Sequence, residues 1–238
     1  MKLIKDILTV DEHFDELSER CDEIDVRKDA ELMREIIKSL KDTMREKKLV
    51  SLSAPAIGYN KRIFCLDFQD SEIKTFINPV IVEVKGLTLA KEMCTSIPDK
   101  FFIRPRNNSV KIFYQRPTGQ TEAKEFLGMA AVKIQHEIDH LDGLLLSDVG
   151  LLIDEDYENA SEEERQEVIE AYLDSLDLKS KEMQEEIEKD PLLKETSDAI
   201  KFIESVYKKE TTLELVRKEE TIDGEAISDK IEENNPNN

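Results

Sequence analysis

Apolar positions along this chain follow two different periods, and the changes between them mark out the elements. From residue 29 to 48, Leu32, Ile36, Ile37, Leu40 and Met44 recur at three- and four-residue spacing among charged neighbours. That spacing predicts one amphipathic helix with a single stripe turned to a core. Residues 62–68 (RIFCLDF), 74–84 (KTFINPVIVEV) and 109–120 (SVKIFYQRPTGQ) are shorter runs rich in Val, Ile and Phe, and the last contains the turn signal Pro117-Thr118-Gly119. They predict strands of a largely antiparallel sheet. Helical spacing returns over residues 121–146, with Gly143 as the expected stop and an apolar turn after it.

Further along, Ser161 and Glu164 form a capping box ahead of Val168, Ile169, Tyr172 and Leu173, predicting a helix with those four on its buried face. Another helix is expected over residues 180–189, to be broken or restarted at Pro191, and a third over 194–209 with Ile200, Ile203 and Val206 on one face. Beyond about Glu210 the chain is mostly charged, and disorder is expected there.

Composition narrows the class. With 39% hydrophobic and 37% charged residues among 238, the chain suits a soluble, helix-rich globular protein. No apolar run reaches membrane-spanning length, and the N-terminus has neither the apolar core of a secretory signal nor the acid-poor composition of a transit peptide, so a cytoplasmic protein without membrane contact is expected. Three widely separated cysteines, Cys21, Cys65 and Cys94, point to reduced thiols rather than a disulfide framework. The net charge of -20 argues against direct nucleic-acid binding, which rests on clustered cations. Residues 151–238 carry 28 acidic and 11 basic side chains, net -17, which leaves net -3 for residues 1–150. The break near Gly150 predicts two parts, 1–150 and an acidic extension 151–238, whose simplest form is a solvated helical hairpin with a loose tail. If the extension docks anywhere, its charge calls for a basic protein surface.

Two of only three histidines fall in the pattern His136-Glu137-x-x-His140. On a helix, imidazoles four residues apart share a face and can bind one divalent ion, while Glu137 lies where it can take a proton from water. The same pattern also occurs as a solvated helix face. A tetrahedral site needs a third protein ligand. A further histidine three residues after Gly143 would complete one known metalloprotease pattern, but that position is Leu146. Glu155, Glu158 or Glu162 could serve from a following helix, in an acidic stretch where any spacing is met by accident. Cys94 could serve from 42 residues upstream of His136, although a free cysteine is commonly a small buried hydrophobe.

With Glu92, Cys94 and Ser96 in "KEMCTSIPD" and His136, Glu137, Asp139 and His140 in "IQHEIDHLDGLLL", the chain resembles the peptide deformylase family, whose motifs include E-G-C-L-S and H-E-x-D-H. The flanking "FINPVI" and "IRPRNNSVKI" look like the family too, and the resemblance spans roughly residues 1–150. It implies an α+β fold in which antiparallel sheets pack around a central metal-binding helix. It also implies one divalent metal on Cys94, His136 and His140, with Fe(II) favoured and Zn or Ni compatible. The implied reaction removes formyl from an N-formyl peptide or nascent chain: Glu137 shuttles the proton to the departing amine, and the Thr95 N–H holds the oxyanion. Glu92 and Arg106 are expected to brace the site as a pair.

The family's first motif, G-x-G-L-A-A-x-Q, is altered. In "LVSLSAPAIG" its glycines align with Leu49 and Ser51, its first alanine with Ser53 and its glutamine with Ala56, so one oxyanion donor is missing. Val50, Ser51, Met93 and Val132 are the expected substrate-binding positions, Met93 as added bulk beside Cys94. Two readings follow: a divergent deformylase of reduced or shifted activity, or a homologue that keeps the metal fold as a binding or regulatory protein.

Overall fold

A computed structural model of the chain describes residues 2–68 and 72–189. The short helix α1 (Val10–Leu17) precedes the long one predicted from the stripe, α2 (Ala30–Lys47). Its buried face is Met33, Ile36, Leu40 and Met44, with Ser39 and Thr43 beneath. Leu32, in the first turn, is 37% exposed, and Ile37 is only partly buried, so the stripe runs through Met33 rather than Leu32. Then come β1 (Ser51–Ser53), a 3-10 turn at Pro55–Ile57, β2 (Ile63–Asp67), β3 (Ile73–Cys94), β4 (Ile97–Gln115) and β5 (Thr121–Leu127). They form one antiparallel sheet in the order β1-β2-β3-β4-β5.

Side-chain alternation in β2 explains how the sheet holds a helix on either face. Ile63 and Cys65 pack with the α2 stripe, whereas Phe64 and Leu66 pack with Phe76, Ile112 and the helix α3 (Gly128–Leu141) through Ala131, Ile134, Ile138 and Leu141. Two predicted strands prove to be halves of longer ones. Residues 85–94 and 97–108 extend β3 and β4 into a ribbon whose period is carried by charge: Ala90, Glu92 and Cys94 are buried, Lys91 and Met93 exposed.

The predicted helix over residues 121–146 is corrected at its start. Residues 121–127 are β5, paired with β4 from Gln115↔Thr121 to Ser109↔Leu127. Thr-Glu-Ala-Lys-Glu is good helical composition, but the turn at Gly119 (φ +85°) returns the chain along β4, where ladder hydrogen bonds outweigh propensity. Gly128 (φ +56°) then makes the corner into α3.

The expected stop at Gly143 is observed, in a left-handed conformation (φ +73°). A Cβ there would lie 2.3 Å from the Ser18 carbonyl oxygen. Arg62 also serves this helix end, donating from Nη1 to the Leu141 carbonyl at 3.0 Å and to Asp142 at 2.6 Å. A left-handed alanine costs about 1–2 kcal/mol and overpacking about 1–3 kcal/mol more. Gly143→Ala is therefore expected to lower unfolding stability by at least about 2 kcal/mol in a urea titration.

After the short helix α4 (Leu146–Val149), β6 (Leu151–Ile153) adds to the sheet by pairing with Phe101–Ile103 of β4, directly beyond the compositional break at Gly150. Next are α5 (Glu155–Asn159) and α6 (Glu162–Lys189). The capping box forms: the Ser161 N–H donates to Glu164 at 2.8 Å, and the Glu164 N–H to Ser161 Oγ at 3.3 Å. Leu173 and Leu176 are buried against Leu89, with Ile169 and Tyr172 beside them, and the Tyr172 hydroxyl donates to the Val149 carbonyl at 2.6 Å. Val168, expected on that face, is 42% exposed. Residues 180–189 continue α6 without a new start. The expectations for Pro191, for Ile200, Ile203 and Val206 and for the charged tail fall outside the described residues. Among those described, no helix is long and apolar enough to cross a membrane.

Candidate metal centre

The ribbon and α3 bring the three candidate ligands together. Cys94 ends β3, and His136 and His140 lie one turn apart on α3; all three are buried, and their ligand atoms lie within 4.8 Å of one another. Cys94 Sγ is 3.2 Å from His140 Nε2. Ordinary Zn–S and Zn–N lengths of about 2.3 and 2.0–2.1 Å would set a tetrahedral sulfur and nitrogen about 3.5 Å apart, so the donor set fits a single divalent ion with small adjustment. No other group of three such side chains gathers among the described residues. Glu155, Glu158 and Glu162, the alternative third ligands, are exposed on α5 and at the start of α6.

Behind the ligands lies a buried ionic chain. His136 Nδ1 donates to Glu92 Oε2 at 2.8 Å, which leaves Nε2 for an ion. Arg106 grips Glu92 with two bonds, Nε to Oε1 at 2.6 Å and Nη2 to Oε2 at 3.0 Å, and gives Nη1 to Asp139 at 2.6 Å. The same Asp139 oxygen accepts from Arg104 Nη1. The expected Glu92–Arg106 brace is thus present, as part of a larger cluster. Arg104 was not singled out from the sequence. Its signal was there: two arginines at i and i+2 on a strand share a face, and here it is the buried face.

Burial alone would raise the Glu92 pKa, but the Arg106 charge and the hydrogen bonds from His136 and Arg106 hold it well below the usual carboxylate range. Burial likewise disfavours a charged His136, while its interactions with Cys94 and Glu92 raise its pKa. Because the Glu92 pKa is lower in the folded than in the unfolded chain, its contribution to stability is complete above the ordinary value of 4.5 and declines as pH falls below it. Glu92→Gln should therefore flatten the dependence of unfolding stability on pH below about 4.5, as denaturant titrations at successive pH values would record.

Glu137 is 3% exposed, and its carboxylate accepts no hydrogen bond from any described residue. Its oxygens are not among the side-chain atoms sealed from solvent without a partner, so water can reach the carboxylate. Thr95 is exposed in the turn between β3 and β4, and its N–H donates to no acceptor among the described residues. Val132 is buried one turn before His136, on the ligand face of α3. Val50 is 44% exposed at the entry to β1, and Ser51 is partly buried. Among the described residues β1 is an edge strand, paired only with β2. Met93 is 51% exposed on β3, alternating with the buried Glu92 and Cys94. Ala56 is 2% exposed in the 3-10 turn, and its carbonyl accepts from the Leu8 N–H at 2.9 Å.

Comparison with known proteins agrees with this geometry. Residues 4–152 match the family model described as polypeptide deformylase. The peptide deformylase of Thermotoga maritima is 36% identical over 124 residues, covering 52% of this chain and 75% of the relative. That of Karelsulcia muelleri is 35% identical over 137 residues, covering 56% and 71%. The crystal structure of a Thermotoga maritima peptide deformylase superposes with a TM-score of 0.55 at 31% identity, over 61% of this chain and 96% of that one. A class I type b peptide deformylase from Acinetobacter baumannii, at 23% identity and a TM-score of 0.57 over 62% and 99% of the two chains, shares the fold. With its antiparallel sheet, its H-E-x-D-H helix and its Cys/His/His cluster, the chain belongs to the peptide deformylase family.

Proposed function

We propose that this chain is a metal-dependent hydrolase that removes the formyl group from N-formylmethionyl peptides, including nascent chains. The observation that carries the reading is the Glu137 carboxylate on the same helix as two imidazoles that meet the Cys94 sulfur. A divalent ion held by Cys94, His136 and His140 supplies Lewis acidity toward a carbonyl and lowers the pKa of water. The family resemblance favours Fe(II), and the donor set also suits Zn or Ni.

The protein's own groups do the rest. Glu137 takes a proton from water and returns it to the departing amine. The free Thr95 N–H faces the charge that develops on the formyl oxygen. The open edge of β1, at Val50 and Ser51, pairs with the substrate backbone as an added strand, and Val132 borders the pocket for the methionine side chain. This chemistry belongs to residues 1–150, with residues 151–238 as an acidic extension. Cys21, Cys65 and Cys94 are all free thiols, which a reducing cytoplasm preserves.

Release of formate from formyl-Met peptides by Fe(II)- or Ni-loaded protein tests the reading, and absence of release with a full complement of metal would refute it. The missing donor at Ala56 should make the reaction slow, since one oxyanion donor is worth about 100- to 1,000-fold in rate. Ala56→Gln is expected to raise kcat by up to about 100-fold in that assay, with little change in metal content.

A further inference from the structure

Asp139 receives two guanidinium groups on one oxygen, from Arg104 and Arg106, although a single cation would satisfy one carboxylate. Counting the buried charges explains the second. Glu92 and Asp139 are both buried and bound to arginine, and Arg106 divides its donors between them, two to Glu92 and one to Asp139. With Arg106 as the only cation, the cluster would hold one uncompensated negative charge inside the protein, and its two carboxylates would compete for one guanidinium. Arg104, with its side chain 3% exposed, supplies the second positive charge and makes the group of four neutral.

The place of the cluster ties that balance to the metal centre. Glu92 lies two residues before the ligand Cys94 and orients the ligand His136; Asp139 lies between His136 and His140 on α3; Arg104 and Arg106 come from the neighbouring strand β4. The cluster therefore joins the strand that carries the sulfur to the helix that carries the imidazoles. Holding Arg104 there has a cost, because burial and the adjacent Arg106 both lower its pKa, with Asp139 opposing them. The Asp139 carboxylate, bound to both guanidinium groups, offsets their mutual repulsion.

We propose that Arg104 is a positioning residue of the metal centre: by engaging Asp139 it leaves Arg106 free to clamp Glu92 with both bonds, and so fixes the orientation of His136. This rests on the metal-centre reading above and adds to it a residue that touches neither metal nor substrate.

The test measures metal affinity by chelator competition, together with the visible spectrum of the Co(II)-loaded protein, so that it does not depend on turnover. Loss of a group that orients a ligand typically lowers affinity about 10- to 100-fold. Arg104→Met is expected to show a loss of that size and an altered Co(II) spectrum, with Arg104→Lys falling between it and the unchanged protein. The double variant Arg104→Met/Asp139→Asn, in which Glu92 and Arg106 again balance, is expected to bind metal more tightly than Arg104→Met alone. Should Arg104→Met not fold, recovery of folded, metal-loaded protein in the double variant gives the same support, and its absence the same refutation. Unchanged or tighter affinity in a folded Arg104→Met with an unaltered spectrum would overturn the proposal, as would a double variant no better than the single. Failure of the unsubstituted protein to bind Co(II) would instead overturn the metal-centre reading itself.

Discussion

Glu137→Gln is expected to lower formate release by about 100- to 10,000-fold while the protein keeps its fold and its metal, the range general acid–base catalysis contributes. The substitution keeps the shape of the side chain and removes the group that takes a proton. Glu137 makes no hydrogen bond with a described residue, so the amide breaks no existing contact, and stability should hold or rise slightly. This separates a catalytic from a structural carboxylate: a structural one would lose stability first. The check is kcat in a coupled formate assay beside metal content and Tm for the same preparations. A variant that keeps full activity would remove Glu137 from the chemistry.

The largest effect on stability is expected from Arg106→Met. Among the described residues Arg106 is the one cation that binds both Glu92 and Asp139, and its own charge is strongly favoured: burial works against it, but the two carboxylates more than compensate. Taking it away leaves Glu92 without its guanidinium, and breaking a buried ion pair from one side typically costs about 3–5 kcal/mol. The solvent-facing pair Arg116–Glu122 provides the control, since Arg116→Ala should cost far less. Urea titrations of the two variants under one set of conditions measure the difference. Equal losses would mean that the cluster's burial carries no weight.

The sequence revealed the site better than its surroundings, for reasons that lie in particular residues. His136, Glu137 and His140 are close in sequence, so helical geometry alone sets their relation. Cys94 is remote, and residue types alone leave Glu155, Glu158 and Glu162 as weak alternatives to it. Its partnership depends on a hairpin whose outer positions, Lys91, Lys100 and Asn107, break any continuous apolar run and conceal the strands. Residues 121–127 read as helix because Glu, Ala and Lys favour one, and only the pairing with β4 decides otherwise. Met93 adjoins Cys94 in sequence, but on a strand successive side chains point to opposite faces, so adjacency alone does not say which face it lines. Arg104 carried no motif, and its importance depends on where Asp139 lies after folding.

X-ray absorption at the metal edge, on protein loaded with one equivalent of Zn or Fe(II), tests most directly whether Cys94, His136 and His140 share an ion. For zinc the expected first shell has one sulfur at about 2.3 Å and two imidazole nitrogens at about 2.0–2.1 Å. A shell of nitrogen and oxygen alone, with no sulfur lost on substituting Cys94→Ser, would contradict it.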